Sequence, residues 1–347
     1  MKIVIDVTPE DVDQVNRQVS SGRYRSLQEF IIVAIWNQLY LESHEPRSTA
    51  LEGEEYDIPH SASLTAPITD AMQLLQLSPQ LTDVKTVHLS DLPRHGYLWG
   101  QYNRIFPVKV VMRVAANLAR IKGSESFLLS ELQEKAAERA RELGKVIQRE
   151  DRLMGRKRGT IISAGLPIGK GQDKAKLRFK NHFVGYLASR RTDANEHETK
   201  AEGAAPTLKF LDIRNEKDSV VAGITDLGLK FACFLNPVID SQDYSNPFSS
   251  EELNFLLDHI ALQLPEEAKL IHLILSCIKK GIASPEELNA RMKSFNPKWK
   301  GSEPITMRAG VVSRIGELRL LERRKDGVRV TYKLTELGEK YLDRLGG

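Results

Sequence analysis

The chain has 347 residues, which is enough for two or three domains with hydrophobic cores of their own. Hydrophobic residues make up 41% and charged residues 28% of it, and the formal net charge is only +4, as in an ordinary globular protein. The longest uninterrupted apolar run, Phe30 to Trp36, is far shorter than the roughly 20 residues that a membrane helix needs. With two cysteines and no apolar leader after Lys2, we expect a reducing, cytoplasmic location without a signal peptide or membrane span.

The first 42 residues predict one strand followed by two helices. Residues 2–7 alternate between apolar and polar positions on the strand period, and Thr8 can cap the helix that follows. Ser26 and Glu29 form a capping box at the start of the second helix. That helix, 27–41, is apolar on almost every side. Since so short a chain cannot bury this surface by itself, the pattern predicts a homodimer.

This N-terminal stretch resembles the ribbon-helix-helix family (Arc, MetJ, CopG and antitoxin relatives). The resemblance is carried by the T-P-E-D helix start, the SSGRYRS turn and the SLQEF start of the second helix. It implies an obligate dimer whose two-stranded ribbon lies in the major groove of DNA. Asp6 on the outward side of the strand would be repelled by phosphates, so DNA contact by the ribbon stays open. We therefore predict a dimerisation domain at 1–44, with candidate DNA contacts at Lys2, Arg23 and Arg25.

An acidic, proline-containing segment at 45–65 predicts a linker. Helical apolar stripes follow at 107–121 and 127–150. Residues 155–173 are glycine-rich and predict an irregular segment. Residues 174–190 predict a helix, and the polar residues 192–205 predict a loop.

Positive charge is concentrated between Arg149 and Arg191, where twelve Lys and Arg face three Asp and Glu. Charged segments that only solvate a surface usually contain positive and negative residues together, whereas this segment is mostly positive. It therefore predicts contact with nucleic-acid phosphates. A solvated surface is the alternative interpretation. The candidate phosphate contacts are Arg156, Lys157, Arg158, Lys174, Lys176, Arg178 and Lys180.

No catalytic or metal site is predicted. AGLPIGKG at 164–171 resembles a phosphate-binding loop, but Gly171 stands where such a loop needs a hydroxyl for magnesium. HETK at 197–200 begins like the H-E-x-x-H sequence of zinc proteases, but Ala201 stands where the second histidine would be. No cluster of Cys and His residues has the spacing of a metal site. We therefore expect no cofactor and no enzyme, with a nucleotide-hydrolysing enzyme as the remote alternative.

An internal repeat relates the middle of the chain to its end. The segment ITDLGLKFACFL at 224–235 aligns with LTELGEKYLDRL at 334–345 without insertions or deletions, and five of the twelve aligned residues are identical. The later copy predicts helices at 266–281, 284–295 and 304–324, and then a hairpin whose turn is Asp326-Gly327.

This order resembles the winged-helix family over 265–347, and less fully over the earlier copy. The resulting fold class is mainly α with small β elements. The predicted domains are 1–44, a linker at 45–65, a first winged-helix-like domain at 66–235, a connector at 236–264 and a second winged-helix domain at 265–347.

The third helix of the later copy would be the recognition helix of a winged-helix domain. One face of this helix is predicted to be buried, which leaves Arg308, Ser313, Arg314 and Glu317 pointing outward. The apolar residues of the buried face are Val311, Val312, Ile315, Leu318 and Leu321. Arginines in such places can read guanine edges, whereas cations on the hairpin hold phosphate. The candidates are Arg308 and Arg314 for bases, and Arg324, Lys325 and Arg329 for the backbone. A protein-docking module is the alternative.

Together these patterns predict a prokaryotic, homodimeric, sequence-specific DNA-binding protein that acts in the cytoplasm on the nucleoid. Its partners would be double-stranded DNA and a second copy of the chain, and a further protein partner is left open. Transcriptional regulation is the leading interpretation. The alternative is a DNA-recognition protein of a plasmid replication or partition, mobile-element or defence complex.

Overall fold

The computed structural model describes residues 13, 74–77, 84–88, 96–157, 159–169, 171–191, 197–327 and 329–346. The chain divides into units of residues 1–64 and 65–347, and every described residue except Asp13 belongs to the second. The predicted ribbon-helix-helix domain and linker therefore lie outside the described residues. So do four of the candidate DNA contacts, namely Lys2, Arg23, Arg25 and Arg158.

The second unit is mainly α-helical with small antiparallel sheets, as predicted. Its first half contains α1 (Phe106–Lys122), β1 (Ser126–Leu128), α2 (Leu129–Leu153), α3 (Gln172–Phe179), a π-helical turn (Lys180–Val184), β2 (Tyr186–Arg191), β3 (His197–Glu202), α4 (Ala204–Thr207), β4 (Leu211–Glu216), β5 (Ser219–Ile224) and α5 (Asp226–Cys233). The rest contains α6 (Pro237–Asp240), α7 (Ser250–Gln263), α8 (Pro265–Lys279), α9 (Pro285–Phe295), α10 (Glu303–Glu317), β6 (Leu321–Asp326), β7 (Arg329–Leu334) and α11 (Glu336–Gly346). Among the helices that the structure describes, none is long and apolar enough to cross a bilayer.

Within the described residues, the strands form one three-stranded sheet and two separate hairpins. The sheet has the order β1-β5-β4, and β2–β3 and β6–β7 are the hairpins. All strand pairs are antiparallel. In the first half α1 packs against α5, and in the second α8 packs against α11. Each half therefore places a hairpin beside a pair of helices that share its core.

The internal repeat is confirmed strand by strand. Each end of β6 and β7 follows the corresponding end of β4 or β5 by the same number of residues, and this number is also the spacing between the two sequence copies. The hairpin registers also correspond, since Leu211 faces Ile224 and Leu321 faces Leu334. The earlier hairpin has no Asp-Gly turn pair. Its Lys217 adopts the left-handed conformation (φ 53°) that Gly327 adopts in the later one (φ 54°).

The capping of the helix after each hairpin is repeated as well. Thr225 and Thr335 each accept a hydrogen bond at 3.0 Å, from the backbone N–H of Gly228 and Gly338 respectively. A Cβ at either glycine would lie 2.2 Å or less from the carbonyl oxygen of the residue that precedes the hairpin, which is Phe210 in one copy and Leu320 in the other. The T-x-x-G pattern shared by the two copies therefore serves both the helix cap and the close approach of the backbone.

Three predicted segments are wrong. The helix predicted at 174–190 ends at Val184, because Gly185 (φ 115°) breaks it and β2 begins at Tyr186. Residues 197–202, within the predicted loop, form β3 and pair with β2. The helix predicted at 304–324 ends at Glu317, and the last of its residues belong to β6. In each case pairing with another strand overrides a local helical or loop-like pattern.

The connector 236–264 is part of the core rather than a loose link. Glu252 is fully buried and forms an ion pair with the equally buried Lys109 of α1, with 2.8 Å between Nζ and Oε1. Arg113, one turn further along α1, donates two hydrogen bonds of 2.8 and 2.6 Å to the carboxylate of Asp240. Burial lowers the pKa of Lys109 to about 8 despite its carboxylate partner. These buried ion pairs hold the connector against the first half.

Candidate nucleic-acid interface

A groove of about 1930 Å³ runs along the outer side of α10. One wall is the loop 154–164, which follows α2 and contains part of the basic segment. The hairpin β6–β7, the start of α11 and one face of α10 also line the groove. The groove thus combines elements from both halves of the unit, which the sequence repeat did not predict.

The walls of the groove carry a strong excess of positive charge. Among the described lining residues, eight are Lys or Arg and two are Glu, which gives a formal charge of +6 (8 − 2). A concave surface of one sign concentrates ions of the opposite charge, so this groove favours a polyanion. The cations are Arg104, Arg156, Lys157, Arg308, Arg319, Arg323, Lys325 and Lys340, and the acids are Glu322 and Glu336.

The loop 154–164 is held in place by the buried carboxylate of Asp151 at the end of α2. Asp151 accepts hydrogen bonds from the backbone N–H of Ile162 (3.1 Å) and Ser163 (2.9 Å), and from Nη1 of Arg156 (2.8 Å). Burial raises the pKa of Asp151, but the hydrogen bonds from Ser163 and Arg156 outweigh it and hold this pKa below its usual range. The carboxylate thereby joins the start of the loop to its end.

Arg156 and Lys157 have different roles in this loop. The Arg156 guanidinium pairs with Asp151 and also donates to the carbonyl of Tyr244, so it supports the loop from within. Lys157 is exposed on the groove side. At Gly159 the loop comes close to the hairpin, since a Cβ there would lie 3.4 Å from Cδ of Arg323. Of the two predicted contacts that the structure describes in this loop, Lys157 is therefore the side chain better placed for an incoming phosphate.

The predicted outward orientation of Arg314 is wrong. Its side chain is only 1% exposed, and it binds Glu267 of α8 through hydrogen bonds of 3.0 and 2.7 Å from Nε and Nη2. The remaining N–H groups donate to the carbonyls of Leu98, Trp99 and Tyr102. Arg314 therefore joins α10 to α8 and to residues 98–102 of the first half, and it does not face the groove.

Glu317, also expected to point outward, is buried as well. Its carboxylate accepts hydrogen bonds from the backbone N–H of Ile105 (2.5 Å) and Phe106 (3.2 Å), at the N-terminus of α1. Burial raises the pKa of Glu317, while Arg104 and these two N–H donors oppose the shift. α10 has two buried sides, one that faces the core of the second half and one that faces residues 98–106. The spacing of its apolar residues predicted only the first of these sides.

The backbones of α10 and of the segment 98–106 are in direct contact. A Cβ on Gly310 would lie 2.4 Å from Cα of Gly100, and a Cβ on Gly100 would lie 2.1 Å from the carbonyl oxygen of Thr306. Real Cβ atoms do not approach other atoms so closely, so both positions require glycine. The two halves are held together by this contact and by the hydrogen bonds of Arg314 to the carbonyls of residues 98–102.

Arg308 is the one predicted base contact on α10 that lines the groove. It is half-buried. Its Nε donates to Oδ1 of Asn289 (3.0 Å), and its Nη1 lies 3.4 Å from the hydroxyl of Tyr332 on β7. α10 begins at Glu303, so Arg308 lies in its second turn. Its guanidinium is therefore already partly engaged before any ligand binds.

The predicted phosphate contacts on the hairpin β6–β7 are exposed. Arg324, Lys325 and Arg329 all face solvent, and Lys325 also lines the groove. Sequence reasoning missed Arg319, Arg323, Lys340 and Arg104, which line the groove as well. Arg319 and Arg323 belong to the segment R-L-L-E-R-R-K, which leads into the predicted hairpin. The high density of positive charge in this segment was the sequence signal that could have identified them. No sequence signal places Arg104 opposite α10.

The remaining predicted contacts lie on α3 and the π-helical turn, outside the groove lining. Lys174 and Arg178 are exposed. Lys176 and Lys180 are half-buried and both pair with Glu134 of α2. The basic segment is thus divided between two places, with its loop in the groove and its helix elsewhere.

Within the part of the chain that the structure describes, no group of three or more His, Cys, Asp or Glu side chains could hold a metal ion. Gly171 of the sequence that resembles a phosphate-binding loop precedes α3 in a left-handed conformation (φ 82°). Comparison with protein-family models, with curated proteins and with solved structures gives no match. The candidate site is therefore defined by the charge and shape of the groove.

Proposed function

We propose that this protein binds double-stranded DNA and that the groove along α10 is where it holds the duplex. The observation that carries this proposal is the +6 formal charge of the residues that line the groove. B-DNA has one negative charge for about every 1.7 Å of its axis, so a groove of this sign attracts it strongly. The walls would bind phosphates through Lys157 on the loop side and Arg323 and Lys325 on the hairpin side.

We assign both halves of the second unit to the winged-helix architecture, with the domains at 66–235 and 265–347. The repeated hairpins, and the helix capped by threonine after each of them, support this assignment. We further propose that residues 1–44 form the ribbon-helix-helix dimeriser that their sequence resembles. A dimer would present two grooves and would suit a palindromic site. Transcriptional regulation in a prokaryotic cell is the role that follows most directly.

A second role, in plasmid replication or partition, a mobile element or a defence complex, is favoured by one observation. Two related copies are joined within one chain and are held together by hydrogen bonds from Arg314 to the carbonyls of residues 98–102, an arrangement that suits repeated DNA sites as well as a single operator. A footprint on the DNA of the source organism separates the roles. One protected palindrome supports regulation, whereas an array of regularly spaced repeats supports replication or partition.

The proposal is tested by measuring DNA affinity as a function of salt. A variant with Lys157, Arg323 and Lys325 replaced by alanine removes three groove charges from each protomer. A matched control with Lys269, Lys280 and Lys293 replaced by alanine removes three exposed charges that do not line the groove. Both variants carry the same net charge, so any difference between them reports position rather than total charge.

We expect the groove variant to bind selected and random duplexes more weakly, and to have a flatter dependence of log affinity on log salt. At about 0.9 per phosphate contact, three lost contacts in each of two protomers flatten the slope by up to about five. The control should keep the slope of the unmodified protein. Equal slopes for the two variants would show that the groove is not the DNA site.

A further inference from the structure

Among the described residues that line the groove, Arg104 is the one buried cation. It is 8% exposed and still lines the groove, whereas the other lining cations are exposed or half-buried. Taking an arginine out of water is costly unless its N–H groups find hydrogen-bond partners. A buried guanidinium with few partners in the protein is therefore a place where a ligand gains hydrogen bonds.

The guanidinium of Arg104 has few such partners. Its Nη1 donates one hydrogen bond of 3.3 Å to the carbonyl of Ser313 on α10. Within the part of the chain that the structure describes, its Nε and Nη2 have no hydrogen-bond partner, and both atoms keep contact with solvent. These two nitrogens form one edge of the planar group, which can donate two parallel hydrogen bonds to a phosphate or a carboxylate. That edge is unused.

Both ends of the Arg104 side chain are held in place. Its Cβ packs beside Gly165, which directly follows the loop 154–164 and is left-handed (φ 90°). A Cβ at Gly165 would lie 2.9 Å from Cγ of Pro107, so the chain comes this close because the residue is glycine. At the other end, Nη1 is bound to Ser313. A side chain fixed in this way loses little further rotamer entropy when a ligand binds.

Glu317 accounts for only part of the environment of Arg104. Burial raises the pKa of Glu317, and the positive charge of Arg104 opposes that shift. The Glu317 carboxylate nevertheless accepts its hydrogen bonds from two backbone N–H groups at the start of α1. Among the described residues, Arg104 makes no ion pair with it. Arg104 thus has a carboxylate at longer range and keeps its two-donor edge free.

We propose, on the basis of the DNA-binding function above, that the Nε–Nη2 edge of Arg104 holds one backbone phosphate of the DNA. Two oxygens of a phosphate diester match this edge, as the two oxygens of a carboxylate do. The +6 formal charge of the groove favours the polyanion, whose further phosphates meet the exposed cations. Because Arg104 is fixed to α10 and to the end of the loop, this contact positions the duplex in the groove.

The test variant is Arg104→Lys, which keeps the positive charge near Glu317 and removes the two-donor edge. The matched control is Arg139→Lys. Arg139 is a half-buried arginine of α2 that pairs with Glu142 and does not line the groove. Both changes conserve the net charge, so a difference between the variants reports the donor geometry at Arg104. Circular dichroism establishes that each variant is folded at the temperature of the binding measurements.

The first measurement uses the full-length protein and a duplex selected from a random library for tight binding. Single phosphates of this duplex are replaced in turn by methylphosphonate, which is uncharged. Hydrogen bonds to charged groups are strong, so the affinity of the unmodified protein should fall about tenfold at the phosphate that Arg104 holds. Arg104→Lys should bind the unmodified duplex about tenfold more weakly and should lose the sensitivity at that phosphate alone. Arg139→Lys should keep the profile of the unmodified protein.

The second measurement uses inorganic phosphate as the probe, without DNA. A ligand that binds the folded state alone raises the melting temperature. Phosphate also stabilises proteins by being excluded from their surface, so the quantity to compare is the difference between variants. When chloride is exchanged for phosphate at constant ionic strength, Arg104→Lys should gain less in melting temperature than Arg139→Lys does.

The outcomes separate this inference from the function on which it rests. A selective loss at one phosphate of the duplex in Arg104→Lys supports the inference. If Arg104→Lys keeps the methylphosphonate profile and loses only the response to inorganic phosphate, the site takes a free phosphate compound and the assignment to DNA is overturned. If the two variants behave alike in both measurements, Arg104 is a structural partner of Glu317 and binds no phosphate. Failure to retain any duplex in the selection would overturn the proposed function, and the response to inorganic phosphate would then decide whether the site itself exists.

Discussion

Arg314 provides the sharpest test of how the two halves are joined. Its guanidinium makes five hydrogen bonds, two to Glu267 and three to backbone carbonyls, and both side chains of the ion pair are 1% exposed. Replacing Arg314 by Met leaves the Glu267 carboxylate buried with a single remaining partner, the Leu98 N–H at 3.0 Å. Breaking a buried pair from one side costs about 3–5 kcal/mol, a large part of the roughly 5–15 kcal/mol that stabilises a domain.

Urea unfolding, followed by far-ultraviolet circular dichroism and tryptophan fluorescence, measures this loss. With a slope of about 3 kcal/mol per molar urea, the midpoint should fall by about 1–2 M. Trp99 is a useful probe because its own carbonyl accepts a hydrogen bond from Arg314. The double variant Arg314→Met, Glu267→Leu should regain about 1–3 kcal/mol, because it no longer buries an unpaired carboxylate.

Two results would refute this reasoning. One is a loss below about 1 kcal/mol for Arg314→Met, which would mean that the buried pair does not hold α10 in place. The other is a normally stable Arg314→Met protein that has lost affinity for its preferred DNA alone. That result would restore Arg314 as a base contact and would require α10 to rotate on binding.

Three further predictions concern stability and assembly. Burial lowers the pKa of His259 to about 4, below the value of about 6.5 in an unfolded chain, so the unfolded state takes up this proton first. The free energy of unfolding should therefore fall by about 3 kcal/mol as the pH drops from about 6.5 to about 4, and His259→Gln should lack that part of the pH dependence in urea titrations. Gly310→Ala should lower the melting temperature because its Cβ would clash with the opposing backbone, whereas Gly316→Ala, whose nearest contact would be 3.6 Å away, should not. Deleting residues 1–44 should yield a monomer by light scattering, and an intact dimer would contradict the proposed dimeriser.

Much of the fold follows from local sequence. Ser284 and Glu287 form the capping box that begins α9, and Gly327 lies in the turn between β6 and β7, directly after Asp326 pairs with Arg329 at the end of the hairpin. The match between residues 224–235 and 334–345 coincides with two equivalent units, in each of which a hairpin is followed by a helix. These features involve residues that are close in sequence or pair directly across a turn, so their physical causes are visible in a short stretch of chain.

The tertiary structure decided the features that depend on distant contacts. The strand β2 replaces the end of a predicted helix because Gly185 breaks that helix and residues 197–202 supply a pairing partner. Periodicity finds one buried side of a helix, but α10 has two, and the second is created by the segment 98–106 from the other half of the unit. The sequence by itself therefore determined that this protein concentrates positive charge near a repeated hairpin unit. Only the folded chain decided which cations line a common groove and which, like Arg314, are buried as structural ion pairs.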